Sequence, residues 1–122
     1  MDGIITNPRI FGPGMWIVFH YVAYSCIENP ENKESFEQLI KLYQIGTPCD
    51  DCRRHFANYA KYHTYNKNNK YFINWKGKKI DVYTFKWSVD CHNMANQSNG
   101  SKVLSLLGAM KMYEIYLRKG KK

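Results

Sequence analysis

The sequence predicts an all-α fold, a bundle of helices within one domain. Three observations carry this. Apolar residues recur at helical spacing along most of the chain. The periodic segments are bounded by capping residues, prolines and glycines where helices start and stop. No internal repeat and no convincing pair of strands is present, which leaves helix packed on helix as the default. At 122 residues the chain is large enough for one core and too small for two.

Residues 1 to 11 read as irregular. Gly12-Pro13-Gly14 then launches a first helix over about 13–27, apolar nearly all round, as a central or interface helix is. Asn29-Pro30 supplies an N-cap and first helical position for a second helix, about 30–45. Phe36, Leu39, Ile40 and Tyr43 form its apolar side, and Gly46 is a natural stop. A third helix begins at Cys49-x-x-Cys52 and runs to about 63, with Cys52, Phe56, Tyr59 and Ala60 on one side. Residues 64–79, rich in Asn and Lys, read as a long loop that admits one short strand-like piece near Tyr71 to Trp75. Asp81 caps a fourth helix, about 82–97, and Asn99-Gly100 is a turn. Ser101 caps a fifth helix, about 102–118, whose apolar positions include Val103, Leu104, Leu107, Met110 and Tyr113.

Composition narrows the function classes. Apolar residues are 44% of the chain, which excludes wholesale disorder. Aromatic residues reach 16%, enough to pack an aromatic core or to surround a flat ligand. A net charge of +8 raises nucleic acid, an acidic membrane surface or an acidic partner. Its lysines and arginines, however, gather in the loop Lys67 to Lys79 and the tail Arg118 to Lys122, so a nucleic-acid surface is not the expected reading. Four cysteines, Cys26, Cys49, Cys52 and Cys91, are too few for a disulfide scaffold and fit a catalytic or metal pair plus two others. The apolar run Met15 to Ile27 is about half the length that crosses a bilayer. It reads as a buried helix of the mature protein, with neither a signal peptide nor a membrane span.

The stretch Thr47-Pro48-Cys49-Asp50-Asp51-Cys52-Arg53-Arg54-His55-Phe56 carries the chemistry. Two thiols at this spacing can close a disulfide or share a metal. At a helix N-terminus the macrodipole and free N–H groups favour thiolate. Asp50 and Asp51 oppose that ionisation, and Arg53 and Arg54 favour it. On the first helix Trp16, His20 and Tyr24 share a face; on the fourth, His92 and Asn96 share one, with Asn93 beside them. Each set has a plain reading, as core packing or an exposed helix side, and a second reading as the edge of a ligand site.

Taken together, these pieces resemble the Erv/ALR family of FAD-linked sulfhydryl oxidases. The residues concerned are Gly12-Pro13-Gly14-Met15-Trp16 with His20 following, Pro48-Cys49-x-x-Cys52, and Trp87 ahead of His92-Asn93-Met94-Ala95-Asn96. They stand in the family's order and cover roughly residues 11 to 118. The resemblance implies a four-helix bundle with a short fifth helix, FAD held between helices, and a homodimer. It implies that Gly12, Trp16, His20 and Tyr24 belong to the cofactor site. His92, Asn93 and Asn96 would hold the adenosine portion with Trp87 beside them, and Lys102 would sit near the pyrophosphate. Cys49 and Cys52 become the catalytic, redox-active pair. A substrate thiolate attacks Cys49, and Cys52 passes electrons to flavin and then to oxygen, yielding hydrogen peroxide and a disulfide in the substrate.

Two departures from the family pattern stand out. Many members staple the third helix to a position three before the His-Asn pair, where this chain has Val89. Many also carry a second shuttle pair, absent here, so the expected electron donor is a separate dithiol protein, for example of thioredoxin-like kind. The small single-domain form resembles the oxidases of large DNA viruses. That implies a place in the cytoplasm of an infected host cell or in the virion. Two other readings compete: a structural zinc module using Cys49, Cys52 and His55 with Cys91 or His92, and a basic nucleic-acid-binding bundle. For Cys26 and Cys91 the expectation is two free, buried thiols.

Overall fold

Helix formation begins earlier than the Gly12-Pro13-Gly14 signal predicts. The computed structural model describes the backbone of residues 7–98 and 100–120, and the side chains of 7–97 and 100–114. Helix α1 spans Pro8–Ser25. Asn7 caps it, its side-chain oxygen accepting from Arg9 N at 3.0 Å, and Pro8 takes the first helical turn, where a missing N–H costs nothing. Pro13 lies inside the helix and removes only the bond to the Arg9 carbonyl. The true start was therefore written in Asn7-Pro8. Phe19, His20 and Ala23 turn inward, while Ile10, Ile17, Val18 and Tyr21 stay exposed.

Pro30–Asn32 forms a single 3₁₀ turn, and α2 follows over Lys33–Gly46. Asn29 makes no side-chain cap bond, so the predicted cap is not used and the helix proper starts three residues later. Helix α3 spans Asp50–Tyr62 with Cys49 as its N-cap residue, as the spacing predicts.

The predicted loop contains a hairpin. Strands β1 (Phe72–Trp75) and β2 (Lys78–Asp81) pair antiparallel, with Phe72 opposite Asp81 and Ile73 opposite Ile80. Lys76 and Gly77 make the two-residue turn, both with positive φ, 52° and 80°. The expectation of no strand pair is thus corrected. A Lys-Gly turn lacks the Asn-Gly or Asp-Gly signal, and Lys79 and Lys78 mask the alternation of the second strand.

Helix α4 spans Tyr83–Ser98. Asp81 caps it as predicted: Oδ1 accepts from Tyr83 N at 3.0 Å and from Tyr71 N at 2.9 Å, while Oδ2 pairs with Lys33 at 2.9 Å. One carboxylate thereby ties the hairpin to the starts of both α2 and α4. At the far end Gly100, at φ 77°, closes a Schellman motif. Its N–H donates to Gln97 O at 3.3 Å, and Ser101 N to Asn96 O at 2.7 Å. Asn99, the other half of the predicted turn, lies outside the described residues. Helix α5 spans Leu106–Gly120. Its cap is Ser105, which accepts from Gly108 N at 3.1 Å, and not Ser101. Residues 101–105 are held irregular by Asn93, whose amide bonds Leu104 N at 2.9 Å and Leu104 O at 2.7 Å.

Helices α1 to α4 pack as a ring, each against the next and α4 back against α1, with α5 laid across α4. The architecture is the predicted all-α bundle with a fifth helix, extended by the hairpin. Its centre is aromatic: Phe19, Phe36, Phe56, Phe85 and Trp87 are all buried. Trp87 donates its indole N–H to the His63 carbonyl at 2.7 Å and packs edge-on to Phe36, Tyr59 and Tyr65. Helices α1 and α4 run antiparallel, with Trp16 against His92, His20 against Ser88 and Tyr24 against Phe85. Cys91 is therefore level with the Trp16–His20 turn. Cys26 lies six residues past His20, about 9 Å further along the axis. Both are buried free thiols, too far apart along the bundle for a disulfide, which needs Cα atoms within about 7 Å.

Candidate functional site

The N-terminal half of α1, the end of α2, most of α3, the C-terminal half of α4 and the first half of α5 enclose a cleft of about 900 Å³. That lies near the top of the range for small-molecule and cofactor pockets, roughly 300–1,000 Å³. Gly12, Trp16 and His20 reach it from α1, Cys49 and Cys52 from α3, and His92, Asn93 and Asn96 from α4. Residues scattered over 85 positions of sequence, 12 to 96, thus meet in one cavity. Three expected contributors do not line it. Trp87 is in the core behind Tyr59, Tyr24 packs edge-on to Phe85, and Lys102 is exposed on the segment before α5. Asn93 lines the cleft, but both ends of its amide are engaged by Leu104.

The two cysteines differ in setting. Cys49 lines both the cleft and a separate surface notch formed with Pro48, Asp50, Asp51, Arg53 and Arg54; Cys52 lines the cleft and not the notch. Cys49 Sγ accepts from Cys52 N at 3.3 Å, the N-cap bond of α3. Burial, then the adjoining Cys49 sulfur, pushes the Cys52 thiol up to about 11. The aspartates are matched one to one by arginines, Asp50 with Arg53 and Asp51 with Arg54. These exposed pairs are worth little in stability, but they cancel the acidic charge between the cysteines. Arg53 is also fixed by donating to Thr47 O at 2.7 Å.

Across the cleft stands a histidine pair. His20 Nε2 and His92 Nδ1 lie 2.9 Å apart, and His20 Nδ1 is 2.9 Å from Ser88 Oγ. Trp16 lies flat on His92, ring centroids 4.0 Å apart and planes 7° apart. Burial, and then mutual repulsion with His92, lowers His20 to about 3; burial lowers His92 to about 4. Both rings are therefore neutral at pH 7. Sequence reasoning missed Ser88, although it stands four before His92 and hence on the same face of α4. It also missed Cys91, Met112 and Tyr113 as lining residues. Among the described residues no group of three or more His, Cys, Asp or Glu is gathered as a metal would require, which counts against the zinc reading of Cys49, Cys52 and His55.

Residues 13–114 match the profile of the Erv1 / Alr family. The chain belongs to that family. It is similar to two viral proteins that carry provisional names as FAD-linked sulfhydryl oxidases. One is R368 of Acanthamoeba polyphaga mimivirus, 28% identical over 118 residues, covering 95% of this chain and 77% of that protein. The other is 088R of frog virus 3 (isolate Goorha), 28% identical over 119 residues, covering 93% and 73%. No solved structure matches. The Erv1 / Alr match runs across all four bundle helices and takes in every residue found on the cleft except those at its α1 entrance.

Proposed function

We propose that this Erv1 / Alr protein is an FAD-linked sulfhydryl oxidase of one domain that forms disulfides in protein substrates. The observation that carries the reading is the single cleft holding the Cys49–Cys52 pair on one side and the Trp16–His20–His92 cluster on the other. The names of both viral relatives support it. The cleft suits the group: it is roomy, largely apolar, and walled by rings against which a planar isoalloxazine or adenine packs. Trp16, His20, His92 and Asn96 would hold FAD, with Gly12 at the entrance and Trp87 as a buttress one layer behind. Bound FAD would supply the electron acceptor and the onward reaction with oxygen, which forms hydrogen peroxide.

The chain's own contribution is thiol exchange. With Cys49 and Cys52 joined as a disulfide, a substrate thiolate reaches Cys49 through the outer notch. An S–S bond forms between substrate and Cys49, the Cys49–Cys52 bond breaks, and the electron pair leaves on Cys52. A second substrate thiolate attacks the mixed disulfide, releasing Cys49 and completing the substrate disulfide. Access supports this order, since Cys49 lines the notch and Cys52 does not. The substrate is a dithiol protein, of which a thioredoxin-like one is an example. The reaction is tested by oxygen consumption with a reduced protein dithiol. Wild type consumes oxygen, and Cys49→Ser and Cys52→Ser each abolish it. Full turnover in either variant contradicts the assignment.

The exposed stripe of Ile10, Ile17, Val18 and Tyr21 on α1 supports a homodimer, to be read from sedimentation of the purified chain. No helix among the described residues is long and apolar enough to cross a membrane. The viral relatives support a site of action in the infected cell's cytoplasm or in the virion.

A further inference from the structure

The chain His92, His20, Ser88 is one in which every hydrogen can be assigned. A carbonyl only accepts, so the single hydroxyl hydrogen of Ser88 goes to Phe85 O, 2.7 Å away. Ser88 Oγ then accepts from His20 Nδ1 at 2.9 Å, which places the N–H of that ring on Nδ1. In a neutral imidazole the other nitrogen is bare. His20 Nε2 therefore accepts from His92 Nδ1 at 2.9 Å, and the N–H of His92 is on Nδ1 as well. His92 is left with a bare Nε2. No described residue bonds that atom, and no buried side-chain nitrogen or oxygen among the described residues lacks a partner. Nε2 is thus open to the cleft that His92 lines. Trp16, flat against the ring, holds its plane.

The geometry points to Ser88 as a positioning residue that, through His20, sets His92 Nε2 as a hydrogen-bond acceptor at the cleft, so that the bound cofactor meets it with a hydroxyl or N–H group and not with a phosphate oxygen. This rests on the FAD reading above. It assigns a function to a serine that touches neither thiol nor cleft, being fully buried and absent from the cavity wall. Without the Ser88 oxygen, His20 has no acceptor for an Nδ1 hydrogen. Its hydrogen moves to Nε2, His92 loses its acceptor in turn, and His92 then presents a donor where an acceptor is required.

The test is nitrogen-15 NMR of the histidine rings in the purified full-length protein at pH 7, with flavin content read from its visible spectrum. Wild type should show both rings as the Nδ1–H tautomer. Ser88→Ala should move His92 to Nε2–H and raise the FAD dissociation constant about tenfold, the scale of one mismatched hydrogen bond. Ser88→Thr, which keeps the hydroxyl, should restore the wild-type tautomers. An Nε2–H on His92 in the wild type overturns the relay, as does Ser88→Ala leaving both tautomers unchanged. A doubly protonated His92 in the flavin-bound protein, the form that a phosphate would select, overturns the acceptor role. Both Nδ1–H tautomers in a chain that takes up no flavin would uphold the relay and contradict the FAD reading.

Discussion

Trp16 lies flat on His92, 4.0 Å between ring centroids and 7° between planes, and so joins the entrance of α1 to the last turns of α4. The stack covers one face of the imidazole while His20 occupies its Nδ1 edge. The ring still borders the cleft, where a ligand can reach it. A flexible wall would lose part of its binding energy in becoming ordered; here three rings are already fixed by one another.

His20→Ala and His92→Ala should each lower FAD occupancy and the thermal midpoint. Each removes one partner of a part-buried hydrogen bond and leaves the other unmatched, at a cost of about 1–3 kcal/mol. Flavin content by absorbance and melting by circular dichroism check this together. Unchanged values in both variants would remove the pair from the cofactor wall.

Alkylation should separate the two thiols of the Cys49-x-x-Cys52 pair. In the reduced protein at pH 8, iodoacetamide should modify Cys49 well before Cys52. Cys49 opens on the outer notch, whereas burial holds Cys52 up at about 11 and therefore mostly as thiol. Peptide mass spectrometry over a time course reads the order, and faster labelling of Cys52 would contradict it.

Cys26 and Cys91 should be inert. Burial raises both thiols, Cys26 to about 11, and the bundle holds them at different levels. Cys26→Ala with Cys91→Ala should keep thiol-driven oxygen consumption and lose about 1–2 kcal/mol of stability per site through packing. A Cys26–Cys91 linked peptide under non-reducing conditions, or loss of turnover with flavin retained, would contradict this.

Acid should destabilise the fold before most carboxylates titrate. His20 falls from 6.5 to about 3 and His92 from 6.5 to about 4 on folding, so between about pH 4 and 6.5 the unfolded chain binds more protons than the folded one. Stability is then full above pH 6.5 and lost as pH falls through the window, with a slope of about 1.4 kcal/mol per pH unit from the buried His20. Asp81 adds loss in the same direction lower down. Burial pushes its carboxyl up, but bonds from Tyr71 N, Lys33 and Tyr83 N together hold it below the usual carboxylate range. Urea midpoints at pH 4.5, 5.5 and 7 should rise in that order; a flat series would contradict the pair's neutral burial.

The helices and the site were legible in the sequence because period and motif point the same way. Phe36, Ile40, Phe56 and Tyr59 fall on inward faces as their spacing requires. Gly12, Trp16, His20, Cys49, Cys52, His92, Asn93 and Asn96 all line one cleft, so residues singled out separately in the sequence are brought together. What stayed hidden has local causes. Asn7-Pro8 was overshadowed by a louder Gly-Pro-Gly that a helix can absorb. Two short, lysine-bearing strands resembled a polar loop, and only the pairing of Ile73 with Ile80 reveals them. Ser105 displaced Ser101 as a cap because Asn93 fixes Leu104 in between. Trp87 carried the right motif position, but its indole turns into the core to reach His63 O. Ser88 looks like any small helical residue until its hydroxyl is seen beside His20.

The proposed function requires the Cys49–Cys52 thiols and a flavin to share one cleft. The most direct test is the visible spectrum of the purified protein under nitrogen, before and after a reduced protein dithiol is added. Flavin bands should bleach with wild type and persist in Cys52→Ser, which keeps the cofactor but breaks the path to it. A protein that stays colourless even when supplied with FAD, or a flavin that bleaches equally fast in Cys52→Ser, would contradict it.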